Sequence, residues 1–464
     1  MKSIAILSLF ATGAILLAGC VGIPAPGERQ ARREVKVIEK ELSSTNQLKL
    51  SADSSLSNYL AFALMNSPAV QTAFYDWSAS VENITVQRSL PDPQITFQSD
   101  IADVVQTVMP GFLQEFPGPG KLNARARVAS AESRAKYFEF QTAVLQTAFN
   151  LKRAYYQLGF LNDEFRIKRE TLSLLENQKS SARAQSMTGG ASLTELLRVQ
   201  NDADRVRTEI ANLEDSRKPL MENFKAALGM TPEETNPPTP AQFELPDEKV
   251  DADKLMHSAF AQNPQLKAIE AEVRAAEAGV AVAYKSRLPD FSLGLMADVK
   301  ASPTMFRPLA GITLPIWRDK IAAEIAQSKA AEMAEKSKLK AAQIELAVSF
   351  AEKLFACRET GRNLALIQNE LLPRTEQIVE TTRAGYRTGT MDFSALTDAE
   401  RVLLDLKLEA ANERTAHAIA LADLSLIVAG TPPPNAPFLS GSSGREPAPF
   451  QIESQSRTPA ATKN

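Results

Sequence analysis

The sequence repeats itself, and that constrains its fold more than any local motif does. The stretch from Asn66-Ser67-Pro68 to Pro93 returns as Gln262-Asn263-Pro264 to Pro289, with Pro68 and Pro264, like Pro93 and Pro289, 196 residues apart. After each of these prolines, apolar residues recur at helical spacing: Val70, Ala73, Trp77 and Ile84, then Leu266, Ile269, Val273 and Val280. Each helix stops at a proline-marked break, Leu90-Pro91-Asp92-Pro93 or Leu288-Pro289-Asp290, because proline lacks an N–H and its ring clashes with the preceding turn. The match continues downstream at slowly growing offsets. Phe116-Pro117 pairs with Leu314-Pro315 at 198, Thr188-Gly189 with Thr388-Gly389 at 200, and Leu228-Gly229 with Ala429-Gly430 at 201. A drift in one direction over half a chain marks an internal duplication.

Strict alternation follows each break: Ile95, Phe97, Ser99 and Ile101 against Gln94, Thr96, Gln98 and Asp100, then Phe291, Leu293 and Leu295 against Ser292, Gly294 and Asp298. Strand pairs are expected at about 94–102 with 105–116, and 290–299 with 306–315. A two-residue period over about ten residues fits a barrel strand in a membrane and equally a half-buried soluble hairpin. Its occurrence at equivalent places in both repeats favours the first.

Long helices come next. Lys121 to Met187 contains no proline, and Lys320 to Thr388 contains only Pro373. At ~1.5 Å per residue each reaches about 100 Å if continuous. They are rich in alanine (Ala322, Ala323, Ala326, Ala330, Ala331, Ala334), which allows close approach of neighbouring helices. Shorter helices are expected at about 192–228 and 392–429, with Gly189 and Gly389 ending one helix and Ser192 and Asp392 capping the next. Helices of that length need more lateral partners than one chain supplies.

The ends read differently. Lys2, the apolar run Ile4 to Leu17 and Leu17-Ala18-Gly19-Cys20 form an export signal that resembles the lipobox of bacterial lipoproteins. Cleavage before Cys20 and lipidation of its sulfur are expected, and Val21 after it suits sorting to the outer membrane. Residues 20–54 read as a lipidated tether, 231–250 as a proline-rich linker between repeats at 55–230 and 251–430, and 431–464 as a disordered tail. With Cys20 lipidated, Cys357 stands alone, so no intrachain disulfide framework forms. No apolar run after the signal is long enough for a helix to span a bilayer, so any spanning segment must be a strand.

A net charge of −3 points to no nucleic-acid partner. Nothing looks catalytic: His257 and His417 stand apart, no metal-ligand spacing appears, and the 11 methionines read as scattered. The expectation is a protein that is not an enzyme and has no cofactor beyond the lipid on Cys20.

Taken in order, the duplicated helix starts, the Leu-Pro-Asp breaks and the run Gly385-Tyr386-Arg387-Thr388-Gly389-Thr390-Met391-Asp392-Phe393 resemble the TolC-like outer-membrane efflux family. So do Leu396-Thr397-Asp398-Ala399-Glu400-Arg401 and the closing Val428-Ala429-Gly430, and the resemblance covers about residues 55–430. It implies a mainly α fold with a transmembrane β-barrel: a homotrimer with four strands per copy in one barrel of twelve, above a periplasmic α-helical barrel. Implied partners are outer-membrane lipid, a periplasmic adaptor and an inner-membrane transporter of the RND or ABC type. Phe116-Pro117-Gly118-Pro119-Gly120-Lys121 resembles the branch serving heavy-metal pumps, with multidrug or type I secretion ducts as the alternative. A protein of another class, a periplasmic coiled-coil scaffold without a pore, also fits the helices alone.

The resemblance places function at the helix tips. Gly189, Gly190, Leu193 and Leu196, with Gly389, Thr390, Phe393 and Leu396, become candidates for adaptor contact, against a reading as hairpin chemistry and packing. Asp398, Tyr386 and Asp392 become candidates for the pore constriction. The family's other tip aspartate is replaced by Ala395, and Asp398 alternatively pairs with Arg401 one turn on.

Overall fold

The computed structural model describes residues 26–43, 49–101, 105–187, 193–240, 243, 252–299, 301 and 303–428. Cys20, Gly189, Gly190, Ser192, the tail and most of the 231–250 linker beyond residue 240 lie outside the described residues. The helices are α1 (Pro26–Ser43), α2 (Leu56–Asn66), α3 (Pro68–Arg88), α4 (Lys121–Met187), α5 (Leu193–Ala227), α6 (Ala252–Gln262), α7 (Pro264–Lys285), α8 (Arg318–Leu366), α9 (Leu372–Arg387) and α10 (Phe393–Val428). Four strands interrupt them: β1 (Gln94–Ile101), β2 (Val105–Phe116), β3 (Asp290–Asp298) and β4 (Met305–Thr313).

The duplicated helix starts are duplicated caps. The Ser67 hydroxyl accepts from the Val70 N–H, and Asn263 Oδ1 accepts from the Leu266 N–H at 3.0 Å, each followed by proline at the first helical turn. A proline there sacrifices an N–H that has no helical partner anyway. Asn263 Nδ2 also donates to the Ile427 carbonyl at 3.1 Å, so this cap holds the end of α10.

Helix α4 is the spine, running 67 residues without a break. Near the strands it packs between α3 and α7, and α7 packs on α8; farther away it packs between α5 and α10, and α10 packs on α8 and α9. The result is a layer four helices wide. Its aromatic centre is Trp77, whose ring stacks on Phe140 at 6.0 Å and meets Tyr137 edge-on at 5.1 Å. Such pairs add about 0.5–1.5 kcal/mol each beyond burial of their area. Tyr59, Tyr155 and Phe224 make a second centre on α2, α4 and α5.

Pro373 does not end its helix. A single π turn, Ile367–Leu371, precedes it, in which Leu372 N–H bonds to the Ile367 carbonyl. The wider turn leaves room for the proline ring, and the chain continues as α9.

The stretch read as a tether holds an unexpected helix. α1 lies against α3, where Glu28 is 1 % exposed and accepts from Arg88 Nε at 2.9 Å and Thr85 Oγ1 at 2.7 Å. Arg32 of the next turn reaches Glu82 at 2.7 Å. Its apolar side, Val35 and Ile38, joins the Trp77 core. Sequence reading missed it because the helix carries few apolar residues and takes its partners about 50 positions downstream.

The strands form one antiparallel sheet in the order β1-β2-β3-β4. The β2–β3 pairing, Gly111 with Met296 through Phe116 with Phe291, joins the two repeats across the sheet centre. Asp290 reinforces the joint below, its Oδ1 accepting from Gly118 N–H at 2.6 Å and from Lys121 Nζ at 2.7 Å.

Candidate pore wall and helix tip

Register sorts the sheet into two unlike faces. Ile95 lies opposite Phe112, Phe112 opposite Leu295, Leu293 opposite Ala310, and Phe291 opposite Ile312. Directly paired residues point the same way, so these make one apolar face, with Phe97 and Phe306 also on it. It is open to the surroundings: Ile95 is 74 % exposed, Phe97 73 % and Phe306 66 %. The other face carries Gln94, Thr96, Gln98, Gly111, Ser292, Gly294, Asp298, Arg307 and Gly311. Below the apolar face, Leu314, Ile316 and Trp317 are exposed as well. Aromatic residues at that level suit the boundary between hydrocarbon and water.

A sheet apolar on one side and polar on the other, with unpaired edges at β1 and β4, cannot stand alone in lipid. It can do so as part of a closed barrel whose apolar face is outward. No helix among the described residues is long and apolar enough to cross a membrane.

The far tip is a closed turn. Gly389 has φ +74°, its N–H bonds to the Tyr386 carbonyl at 3.1 Å, and Thr390 N–H reaches back to Gly385 at 2.9 Å. These two bonds satisfy the last carbonyls of α9 as a Schellman motif does. Asp392 then caps α10, its Oδ1 accepting from Ala395 N–H at 2.8 Å.

Several candidate residues take up contacts within the chain. Leu396 is only 8 % exposed and packs among the helices. Phe393 is half-buried against Tyr386, their rings 5.5 Å apart. Asp392 uses its carboxylate as a cap. Arg401 does not pair with Asp398; it turns to Asp202 of α5 at 3.3 Å, tying the second hairpin to the first. Asp398 is exposed and has no ion pair among the described residues. Leu193, 66 % exposed, and Thr390 remain open, while Leu196 is half-buried. Within the hairpins, Lys168 meets Glu209 at 2.8 Å and Arg207 meets Glu176, whereas Arg383 meets Glu400 at 2.9 Å.

A family described as "Outer membrane efflux protein" matches residues 60–230 and 255–430, that is, both repeats. The chain belongs to this family. The chain is 22 % identical over 450 residues to a Salmonella typhimurium protein described as a probable outer membrane lipoprotein, SilC, covering 87 % of this chain and 93 % of that one. A solved structure of CusC superposes with a TM-score of 0.69 at 16 % identity, covering 82 % of this chain and 94 % of that one. The outer membrane channel CmeC of Campylobacter jejuni gives 0.69 at 14 % identity, covering 82 % and 88 %. At such identities the superpositions speak for a shared TolC-like fold, and the family for an outer-membrane efflux channel. This family and fold are those of channel proteins, not of enzymes.

For this efflux protein, the inter-hairpin contact Arg401–Asp202 is the contact near the tip that sequence reading missed. The two residues are 199 positions apart in the chain, and no local pattern announces the pairing.

Proposed function

We propose that the chain is the exit duct of a tripartite efflux system, in which three copies close one barrel and one helical cylinder. The two-faced sheet with unpaired edges carries this reading, since lipid tolerates neither open edges nor a polar outer face. Each copy ends laterally in β1 with α3 on one flank and β4 with α8 on the other, so copies join head to tail and a ring can close. On α8, Met333, Ile344, Phe355 and Leu366 are exposed at intervals of 11 residues, three helical turns, which makes a straight apolar stripe for the neighbouring copy.

Cys20 carries the lipid anchor. A periplasmic adaptor docks on the tips, at Leu193 and Thr390 and the glycines 189, 190 and 389, and an inner-membrane transporter of the RND or ABC type drives transport. The Asp398 carboxylates of three copies face the constriction, and Arg401–Asp202 holds the second hairpin inward at rest. The cargo is metal ions, as the Phe116–Lys121 resemblance suggests.

Planar-bilayer conductance of the detergent-purified protein is the direct test. Discrete channels with a trimeric mass are expected; a monomer without conductance would return the chain to the scaffold reading. Sensitivity of a deletion strain to metal salts but not to drugs or bile salts is expected for metal cargo, and the reverse pattern would assign drug efflux.

A further inference from the structure

Most of the sheet is exposed or half-buried in a single copy. Among the strand residues whose burial is described, only Met109, 2 % exposed, and Asp298, 7 % exposed, are buried. They sit together on the polar face, at the end of the sheet away from the helices. Gly111 and Met296 are paired across β2 and β3; Met109 lies two residues outward from the one and Asp298 two residues outward from the other. Met305 on β4 is the direct partner of Asp298. Met296 also faces this side, its side chain crossing Gly111 so closely that a Cβ there would lie 2.6 Å from its Cγ. Methionines on three adjacent strands, the strands about 4.8 Å apart, therefore share one face with this carboxylate: Met109 and Met305 on the strands either side of it, Met296 two residues away on its own strand. The sequence shows these methionines only as scattered single residues.

The carboxylate itself is incompletely satisfied. Asp298 Oδ2 accepts from Arg307 Nη2 at 3.1 Å, but Oδ1 is buried with no hydrogen-bond partner among the described residues. A buried, unpaired carboxylate oxygen costs free energy and calls for a ligand. Arg307 is 54 % exposed at its side chain and holds only one of the two carboxylate oxygens. Thioether sulfurs are soft donors that favour soft monovalent cations over the hard ions abundant in the medium.

We propose that Met109, Met296, Met305 and Asp298 form a site for a soft monovalent cation of the Ag(I) or Cu(I) class near the outer mouth of the duct. The inference rests on reading the polar sheet face as the lumen. The sulfurs supply the selectivity and Asp298 Oδ1 supplies the charge. In a closed ring the site occurs once per copy, just before the cargo leaves.

The test uses purified full-length protein in detergent with Cys357 changed to alanine, which removes the remaining free thiol. Ag(I) is added in chloride-free buffer, and bound silver is measured after gel filtration. The parent should retain about one Ag(I) per chain more than the Met109→Leu/Met296→Leu/Met305→Leu variant, since leucine keeps volume and removes the soft donor. Asp298→Asn should weaken retention roughly tenfold, by loss of the countercharge. Equal silver retention by the parent and the triple-leucine variant, both eluting at the same size, would overturn the site. Bilayer conductance of both proteins keeps the two readings apart. Conducting channels with unchanged silver binding leave the duct standing without the site, whereas a parent that never conducts removes the duct itself.

Discussion

Gly389 shows how much a single position can decide. Its φ of +74° lies where an L side chain is strained, yet a Cβ there would meet nothing within 4 Å. Gly389→Ala should therefore cost about 1–2 kcal/mol through backbone strain alone. Hydrogen exchange should show the loss at the α9–α10 turn and leave the Trp77 core protected. The pair Arg401–Asp202 belongs to the same scale, and the role proposed for it is functional. Their side chains are 44 % and 22 % exposed, so the pair contributes about 0.2–1 kcal/mol and the melting temperature should hardly move on Arg401→Ala. If the pair restrains the second hairpin, that variant should raise open-channel conductance in the bilayer. Asp202→Ala should do the same, and the double variant should add nothing further. Unchanged conductance in both singles would assign the pair to packing.

At the scale of elements, α1 is the clearest case of structure held by charge. Burial pushes the Glu28 carboxyl up, but the Thr85 hydroxyl, the Arg88 guanidinium and Arg32 together outweigh it and hold the group below its usual value of about 4.5. A carboxyl with a depressed folded value stabilises its contact fully above the unfolded value, and that contribution is lost as pH falls through the folded one. α1 should thus stay docked from neutral pH to about 5 and loosen under stronger acid. Limited proteolysis within 26–43 at graded pH measures this. Glu28→Gln should loosen the helix already at pH 7, at a cost of about 1–3 kcal/mol, because the amide keeps one acceptor oxygen but loses the charge that faces Arg88 and Arg32. Acid-insensitive cleavage of the parent would show that Val35 and Ile38 alone hold α1 in place.

For the whole molecule, the decisive matter is which way the sheet faces. Phe97 and Gln98 are neighbours in sequence and lie on opposite faces. With Phe97 outward, Phe97→Arg puts a charge into hydrocarbon and should cost about 2–4 kcal/mol, seen as lost assembly in the outer membrane. Gln98→Arg should assemble normally and shift conductance and ion preference, since it changes only the wall of the water-filled lumen. The opposite outcome for the pair would invert the barrel assignment.

The sequence alone determined what depends on neighbours in the chain. Proline breaks, cap residues, the alternation of the strands and the long proline-free helix are local, so α3, α7, the strand pairs and the 67 residues of α4 were legible from residue types and spacing. The duplication added the order of these elements, and with it the family. Tertiary structure decided what depends on residues brought together from a distance. Arg401 pairs with Asp202 on α5 rather than with Asp398 one turn away on its own helix. Leu396 is buried among the helices, and Phe393 lies against Tyr386 across the α9–α10 turn. Glu28 found its partners on α3, and three single methionines came to share one face with Asp298. A period in the sequence sets which way a side chain points along its own element, but only the register between elements sets what it meets.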